Sequence, residues 1–180
     1  MRRLFGIALF FILCCAQGEH PASSYAKDGI RFSVPSTCVV ASDKYLDEKH
    51  TGRAIQIECA DHALFSIVSI PASSPETLEQ FATNVASKRA SAIQQKFINL
   101  GHETASGSDA AMATIRGAVT QGIRQRFAIE LLGQNIPHVA EFYMVQTQRA
   151  KIIVMTQVAE THLDETRPRW KAIFDSVEFE

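Results

Sequence analysis

The 180-residue sequence lacks almost everything that announces a chemical function. It has no Gly-x-Ser-x-Gly elbow, no Gly-x-Gly-x-x-Gly turn and no phosphate-cradling loop, so neither an α/β-hydrolase nor a nucleotide-binding unit is written in it. Charge of one sign is missing as well: 18 basic and 19 acidic side chains leave a net charge of −1 with no block of like charge. Counterion release from nucleic acid needs a clustered basic surface, so no nucleic-acid partner is expected. Paired histidines are absent. His20, His50, His62, His102, His138 and His162 stand apart, none at the i, i+2 or i, i+4 spacing of a local metal site, and no metal or cofactor is expected. Cysteine is limited to four residues and contains no Cys-x-x-Cys spacing, which removes the usual way of lowering a thiol pKa.

What is present begins at the N-terminus. Arg2 and Arg3 precede an apolar run over residues 4–15, and Ala16-Gln17-Gly18 supplies a small-x-small cleavage site, the layout of an export signal cut after Gly18. The run is too short for a membrane anchor, since a spanning helix takes about 20 apolar residues, so no stable membrane span is expected after cleavage. The rival is a lipoprotein with the lipid on Cys15. Removing residues 1–18 leaves Cys38 and Cys59, which an oxidising compartment is expected to join as a structural disulfide. Closing a loop of that length stabilises a fold by roughly 3 kcal/mol. The domain expectation is a signal over 1–18, an N-terminal arm over 19–28 and one α+β domain over 29–180, large enough for a single core.

The strand signals carry the fold. Along residues 123–131, Ile123, Phe127, Ile129 and Leu131 alternate with Arg124, Arg126, Ala128 and Glu130, the period of two that a half-buried strand requires. Further strands are predicted over 112–119, 139–147 and 151–158, with Gln121-Gly122, residues 133–137 and residues 148–150 as separators short enough to force antiparallel pairing. Upstream, 30–34, 53–59 and 64–70 read as strands, the last with apolar residues on both faces and hence interior. Residues 42–52 read as a charged loop. A long helix is predicted from a Ser74 cap, with Pro75 and Glu76 in its first turn, to about Ile98, presenting Leu78, Phe81, Val85, Ile93 and Phe97 on one stripe. Residues 101–110 read as an exposed turn region, with a short strand around 102–105 as the alternative. A second amphipathic helix is predicted over 163–176, starting just before Pro168, and a short extended tail follows.

Strands, a long helix, an antiparallel meander and a terminal helix make an α+β sheet covered by two helices. This order, opened by Asp28-Gly-Ile-Arg-Phe-Ser-Val-Pro35 and closed by Trp170-Lys-Ala-Ile-Phe-Asp-Ser-Val-Glu-Phe179, resembles the PsbP-like or DcrB-like family of α/β/α sandwiches. The resemblance implies a largely non-enzymatic domain that serves as an accessory, chaperone or binding partner in envelope, thylakoid and secretion systems. The family has no universal functional residues to carry over, and the Cys38 and Cys59 pair and Pro168 are not part of its pattern.

Three functions follow as expectations. The first is an exported, non-enzymatic protein-interaction domain, of envelope accessory, chaperone-like or immunity type, with an unidentified protein partner. The second is an exported hydrolase, for which only His102, Ser108 and Asp109 in one loop can be assembled. The third is a small-ligand carrier with a pocket between sheet and helix. Glu130 and Glu141, on adjacent predicted strands, are expected as solvated partners of Arg124 and Arg126. Ala140, Phe142 and Met144 oppose Val139, Tyr143 and Val145, so one face should meet the long helix and the other the terminal helix.

Overall fold

A computed structural model of the protein describes residues 22–96 and 101–179. The export segment with Cys14 and Cys15, the boundary at Gly18, His20 and the predicted helix end at Phe97 and Ile98 lie outside the described residues. Strands β1 (Ser23–Lys27) and β2 (Ile30–Val34) form a hairpin, and β10 (Glu178–Phe179) pairs with the other edge of β2. The larger sheet holds β3 (Cys38–Tyr45), β4 (Arg53–Cys59), β5 (Leu64–Pro71), β6 (Gly101–Ile115), β7 (Ala118–Leu131), β8 (Gln134–Gln146) and β9 (Ala150–Ala159). Its order is β3-β4-β5-β9-β8-β7-β6, with every pair antiparallel. The helices are α1 (Leu78–Lys96) and α2 (Leu163–Ser176).

Three turns explain most departures from the sequence reading. Asp28-Gly29, Arg116-Gly117 and Leu132-Gly133 all hold both residues at positive φ, from 50° to 77°. That is the type I′ geometry whose twist matches paired strands and which glycine adopts without steric cost. The first turn makes residues 23–27 a strand, so the fold begins before Gly29 and the loose-arm expectation is corrected. The second moves the β6–β7 turn from Gln121-Gly122 to Arg116-Gly117, and Gln121 and Gly122 lie inside β7. The third starts β8 at Gln134, three residues before Pro137. Pro137 is tolerated because β9 begins pairing only at His138, so the missing N–H faces no ladder there.

Other boundaries shift for local reasons. Residues 42–45 extend β3 beyond a bulge after Val40, shortening the expected loop. Residues 101–110, expected as a turn region, are the first two thirds of β6. The α1 cap is Thr77, not Ser74: the Thr77 hydroxyl accepts the Gln80 amide at 3.2 Å, and the Gln80 side-chain oxygen accepts the Thr77 amide at 3.0 Å. This capping box satisfies two orphan donors. α2 starts at Leu163 behind a single 3₁₀ turn (Glu160–His162) with no side-chain cap, and it carries Pro168 inside rather than near its start.

The two faces of the large sheet are covered differently. On one face Ile55, Ile57, Phe65, Ile67, Val154, Val139 and Tyr143 pack beneath α2 and the small sheet, meeting Trp170, Ile173, Phe174, Ile30, Phe32 and Val34. On the other, α1 sets Ala82, Phe81 and Val85 on Phe127, Ala140 and Phe142. α2 therefore covers the second face of the late strands, as the two-sided apolar pattern predicts. Cys38 and Cys59 are register partners at one end of β3 and β4 and are joined in a disulfide.

Candidate functional site

Polar residues gather in two places on the α2 side of the large sheet. The first is Arg53, 5 % exposed, where β4 meets the small sheet. Its Nε and Nη2 donate to the Asp43 carboxylate at 2.7 and 2.8 Å, and Nη1 reaches the Lys27 carbonyl at 3.0 Å and the Asp28 carboxylate at 3.1 Å. Nη2 also donates to the Tyr25 hydroxyl, which itself donates to Asp43 at 2.8 Å. A guanidinium has five N–H donors; four are in hydrogen bonds here, and Nη1 also lies against Asp28 as an ion pair. The rings of Tyr25 and Tyr45 lie 5.8 Å from its centre. Hydrogen bonding from Arg53 holds the Asp43 carboxyl well below the usual carboxylate range. A cavity of about 140 Å³ adjoins the cluster, and the Arg53 charge facing it is already matched by Asp43 and Asp28.

The second place is a groove of about 440 Å³ between α2 and the β6 end of the sheet, lined by residues of β6 and β8. Ala113, Glu141, Tyr143, Trp170 and Phe174 line it, with Arg167 and Lys171 from α2 and Met112 at the rim. Room exists because the strand positions facing α2 in β6 and β7 are small. Ala111 and Gly122 lie opposite Tyr143, and a Cβ on Gly122 would come within 2.3 Å of the Phe142 carbonyl oxygen and 2.4 Å of the Tyr143 ring. Glu141 is only 6 % exposed, so the expectation of a solvated carboxylate is corrected. Arg124 Nε donates to it at 2.8 Å and the Tyr143 hydroxyl at 2.8 Å. Burial, reinforced by the Glu141 charge, pushes the Tyr143 hydroxyl far up from its ordinary pKa, so it stays a neutral donor. The Trp170 indole N–H and the Thr166 and Thr156 hydroxyls are buried on this side without a hydrogen-bond partner. An unmatched buried donor costs about 1–3 kcal/mol, so the fold gains nothing from their polarity.

The hydrolase residues do not assemble. His102 and Ser108 lie on one strand six residues apart, about 20 Å along a strand at 3.4 Å per residue, less the local bulge. His102 faces Glu130 at 3.3 Å, while Asp109 pairs with Arg126 at 3.0 Å and approaches Arg124 at 3.9 Å. Asp61, His162 and Glu165 place one ligand atom each within 4.8 Å of one another, but Asp61 is already held by Arg169 at 3.4 Å. Sequence reasoning missed the pair Arg89–Glu103, a two-pronged contact at 2.8 Å per bond under α1 with the guanidinium 3.6 Å above Phe127. Its signal is Arg89 on the apolar stripe of α1, four residues after Val85. Phe81 packs edge-on against Phe142, so the gap between sheet and α1 is filled there.

With the order of ten strands and two helices in hand, comparison with solved structures is decisive for the fold. Cyanobacterial PsbP from Synechocystis sp. PCC 6803 superposes with a TM-score of 0.51 at 14 % identity, covering 93 % of this chain and 97 % of that one. This chain has a PsbP-like fold. LpqN of Mycobacterium tuberculosis, described as involved in cell envelope biogenesis, aligns at a TM-score of 0.38 and 13 % identity over 88 % of this chain and 84 % of its own. No family model and no curated protein sequence matches the chain.

Proposed function

We propose that the protein is exported, through cleavage of residues 1–18, and acts by contact with another protein, as an envelope accessory, chaperone-like or immunity-type domain spanning residues 23–179. The observation that carries this is the contrast in polar groups. Charged side chains with chemical potential are paired inside the fold, while the α2 groove keeps apolar rings and an unmatched indole donor beside an open sheet edge. The Cys38–Cys59 bridge suits an oxidising compartment. Among the described residues no helix is long and apolar enough to cross a membrane. The test is in vivo cross-linking of the full chain in its own host, followed by reciprocal tagging of what is recovered. A reproducible protein partner is expected; its absence at native expression, together with ester hydrolysis that Ser108→Ala abolishes, overturns the reading.

The groove also favours a second reading, a carrier of a small apolar ligand. Trp170 is the sole tryptophan and lines the groove, so its fluorescence reports occupancy directly. Titration with a panel of hydrophobic carboxylic acids and amides that leaves the emission unchanged disposes of it.

A further inference from the structure

The outer edge of β6 is where the groove opens. Among the described residues β6 ends the large sheet and pairs only with β7. In a two-residue hairpin the residues flanking the turn exchange both backbone hydrogen bonds, and alternate residues then face outward. Ile115 and Ala118 flank the Arg116-Gly117 turn, so Ile115, Ala113 and Ala111 bond to β7, and Thr114, Met112 and Ala110 aim their N–H and C=O groups away from the sheet. All three outward residues are exposed, Met112 at 66 %. This stretch has none of the usual protection of an edge: no lysine, no proline, and its one bulge lies further back, between Ala105 and Gly107. The hairpin tip is fixed, because the Arg116 amide donates to the Phe174 carbonyl of α2 at 3.0 Å.

A row of unmatched backbone groups therefore runs beside a 440 Å³ apolar recess. A strand added to β6 sends alternate side chains to the α2 side, where the recess between Tyr143, Trp170 and Phe174 accepts one large apolar group. Along α2, Asp164, Arg167 and Lys171 face the same opening. Lys171 is paired with Asp175, whereas Arg167 has no ion pair among the described residues. The available cation at the rim is thus Arg167, with Asp164, also without an ion pair among the described residues, about one helical turn before it.

We propose that Ala110–Thr114 of β6 is a strand-addition site for an extended segment of a partner protein, which seats one aromatic or aliphatic side chain in the α2 groove and sets a carboxylate two residues away against Arg167. The inference rests on the contact reading above and names its surface. A second copy of this chain is the competing occupant; its edge offers Met112 and Asp109 three residues apart, on opposite faces of the strand, and so lacks an apolar group and a carboxylate at the two-residue spacing.

The test uses the full chain against a phage-displayed library of random nine-residue peptides, with the enriched peptides then synthesised. Expected are sequences with an apolar residue followed two positions later by Asp or Glu. Their binding should fall at least tenfold with Met112→Pro, which removes an outward donor and no bond to β7, and at least threefold with Arg167→Glu. A folding defect in the proline variant would mimic lost binding, so amide hydrogen exchange on the unaltered protein gives the second readout: peptide should protect the Ala110, Met112 and Thr114 amides and leave Ala113 unchanged. No enrichment, peptides indifferent to both variants, or protection elsewhere overturns the proposal. Concentration-dependent self-association abolished by the same variants overturns it in favour of a second copy. A cross-linked partner mapped away from β6 sinks this edge and spares the contact reading, while recovery of no partner sinks the reading itself.

Discussion

The Arg53 cluster and the α2 groove lie on the same face of one sheet and treat their polar groups in opposite ways. At Arg53 one guanidinium meets two carboxylates, a carbonyl and a phenol, and the result ties the β1–β2 hairpin to β3 and β4. In the groove Glu141 is matched by Arg124 and Tyr143 and the Trp170 N–H is not; elsewhere on the same side the Thr156 and Thr166 hydroxyls are buried without a partner among the described residues. A buried polar group without a partner costs stability, so a fold selected for stability alone has no use for three of them on one side. The difference separates the part of the molecule that holds it together from the part left available to something else.

The largest effect expected from breaking this contrast is at Arg53. Arg53→Met removes the strongest partner of Asp43, leaving it Lys27 and the Tyr25 hydroxyl, and should cost about 3 kcal/mol in urea denaturation, part of which Asp43→Asn recovers in the double variant. A loss under about 1 kcal/mol would show the cluster to be decoration. Next is Gly122→Val, whose Cβ collides with the Phe142 carbonyl and the Tyr143 ring; a loss of about 1–3 kcal/mol is expected, together with a changed Trp170 emission as the groove floor rises.

A smaller effect comes from titration. Burial and the hydrogen bond to Asp43 push Tyr25 from 10.0 up to about 12. A folded-state pKa raised in this way leaves its stability contribution intact below about 10 and removes it as pH climbs toward 12. The denaturation midpoint should hold up to that point and then fall, with Tyr25→Phe flattening part of the decline. At the acid end Asp43, depressed by Arg53, contributes fully above 3.8 and loses its contribution as pH drops below it. The smallest effect sharpens the other side of the comparison. Thr156→Val combined with Thr166→Val removes two unmatched hydroxyls at nearly constant shape and should leave stability unchanged or raise it by up to about 1 kcal/mol, measured by calorimetry. A clear loss would mean that both hydroxyls are engaged in the fold.

Much of the fold was readable residue by residue. Arg53–Cys59 matches its predicted bounds and α2 its predicted end at Ser176, and the two-sided apolar content of β8 correctly called for layers on both faces. The misses share one cause. At Asp28-Gly29, Arg116-Gly117 and Leu132-Gly133 the decisive signal is a single glycine after a residue able to take positive φ, and in the latter two cases arginine and leucine hide it. The strand over residues 101–110 was masked by Gly101, Gly107, Ser106, Ser108 and Asp109, residues of turn composition that an edge strand beside a partner accepts. The site was almost wholly illegible. Glu141 reads as a surface carboxylate until Tyr143, Arg124 and α2 close over it, and nothing in local sequence says that Arg53 would be buried.

By itself the sequence determined what short-range physics decides: alternation makes strands, a 3.6-residue stripe makes helices, and Cys38 and Cys59 are available to each other. Tertiary structure alone decided which face each polar residue meets, because burial and hydrogen-bond matching depend on strands dozens of residues apart. That is why Arg53, Glu141 and the open edge of β6 acquire their roles only once the seven strands are in order.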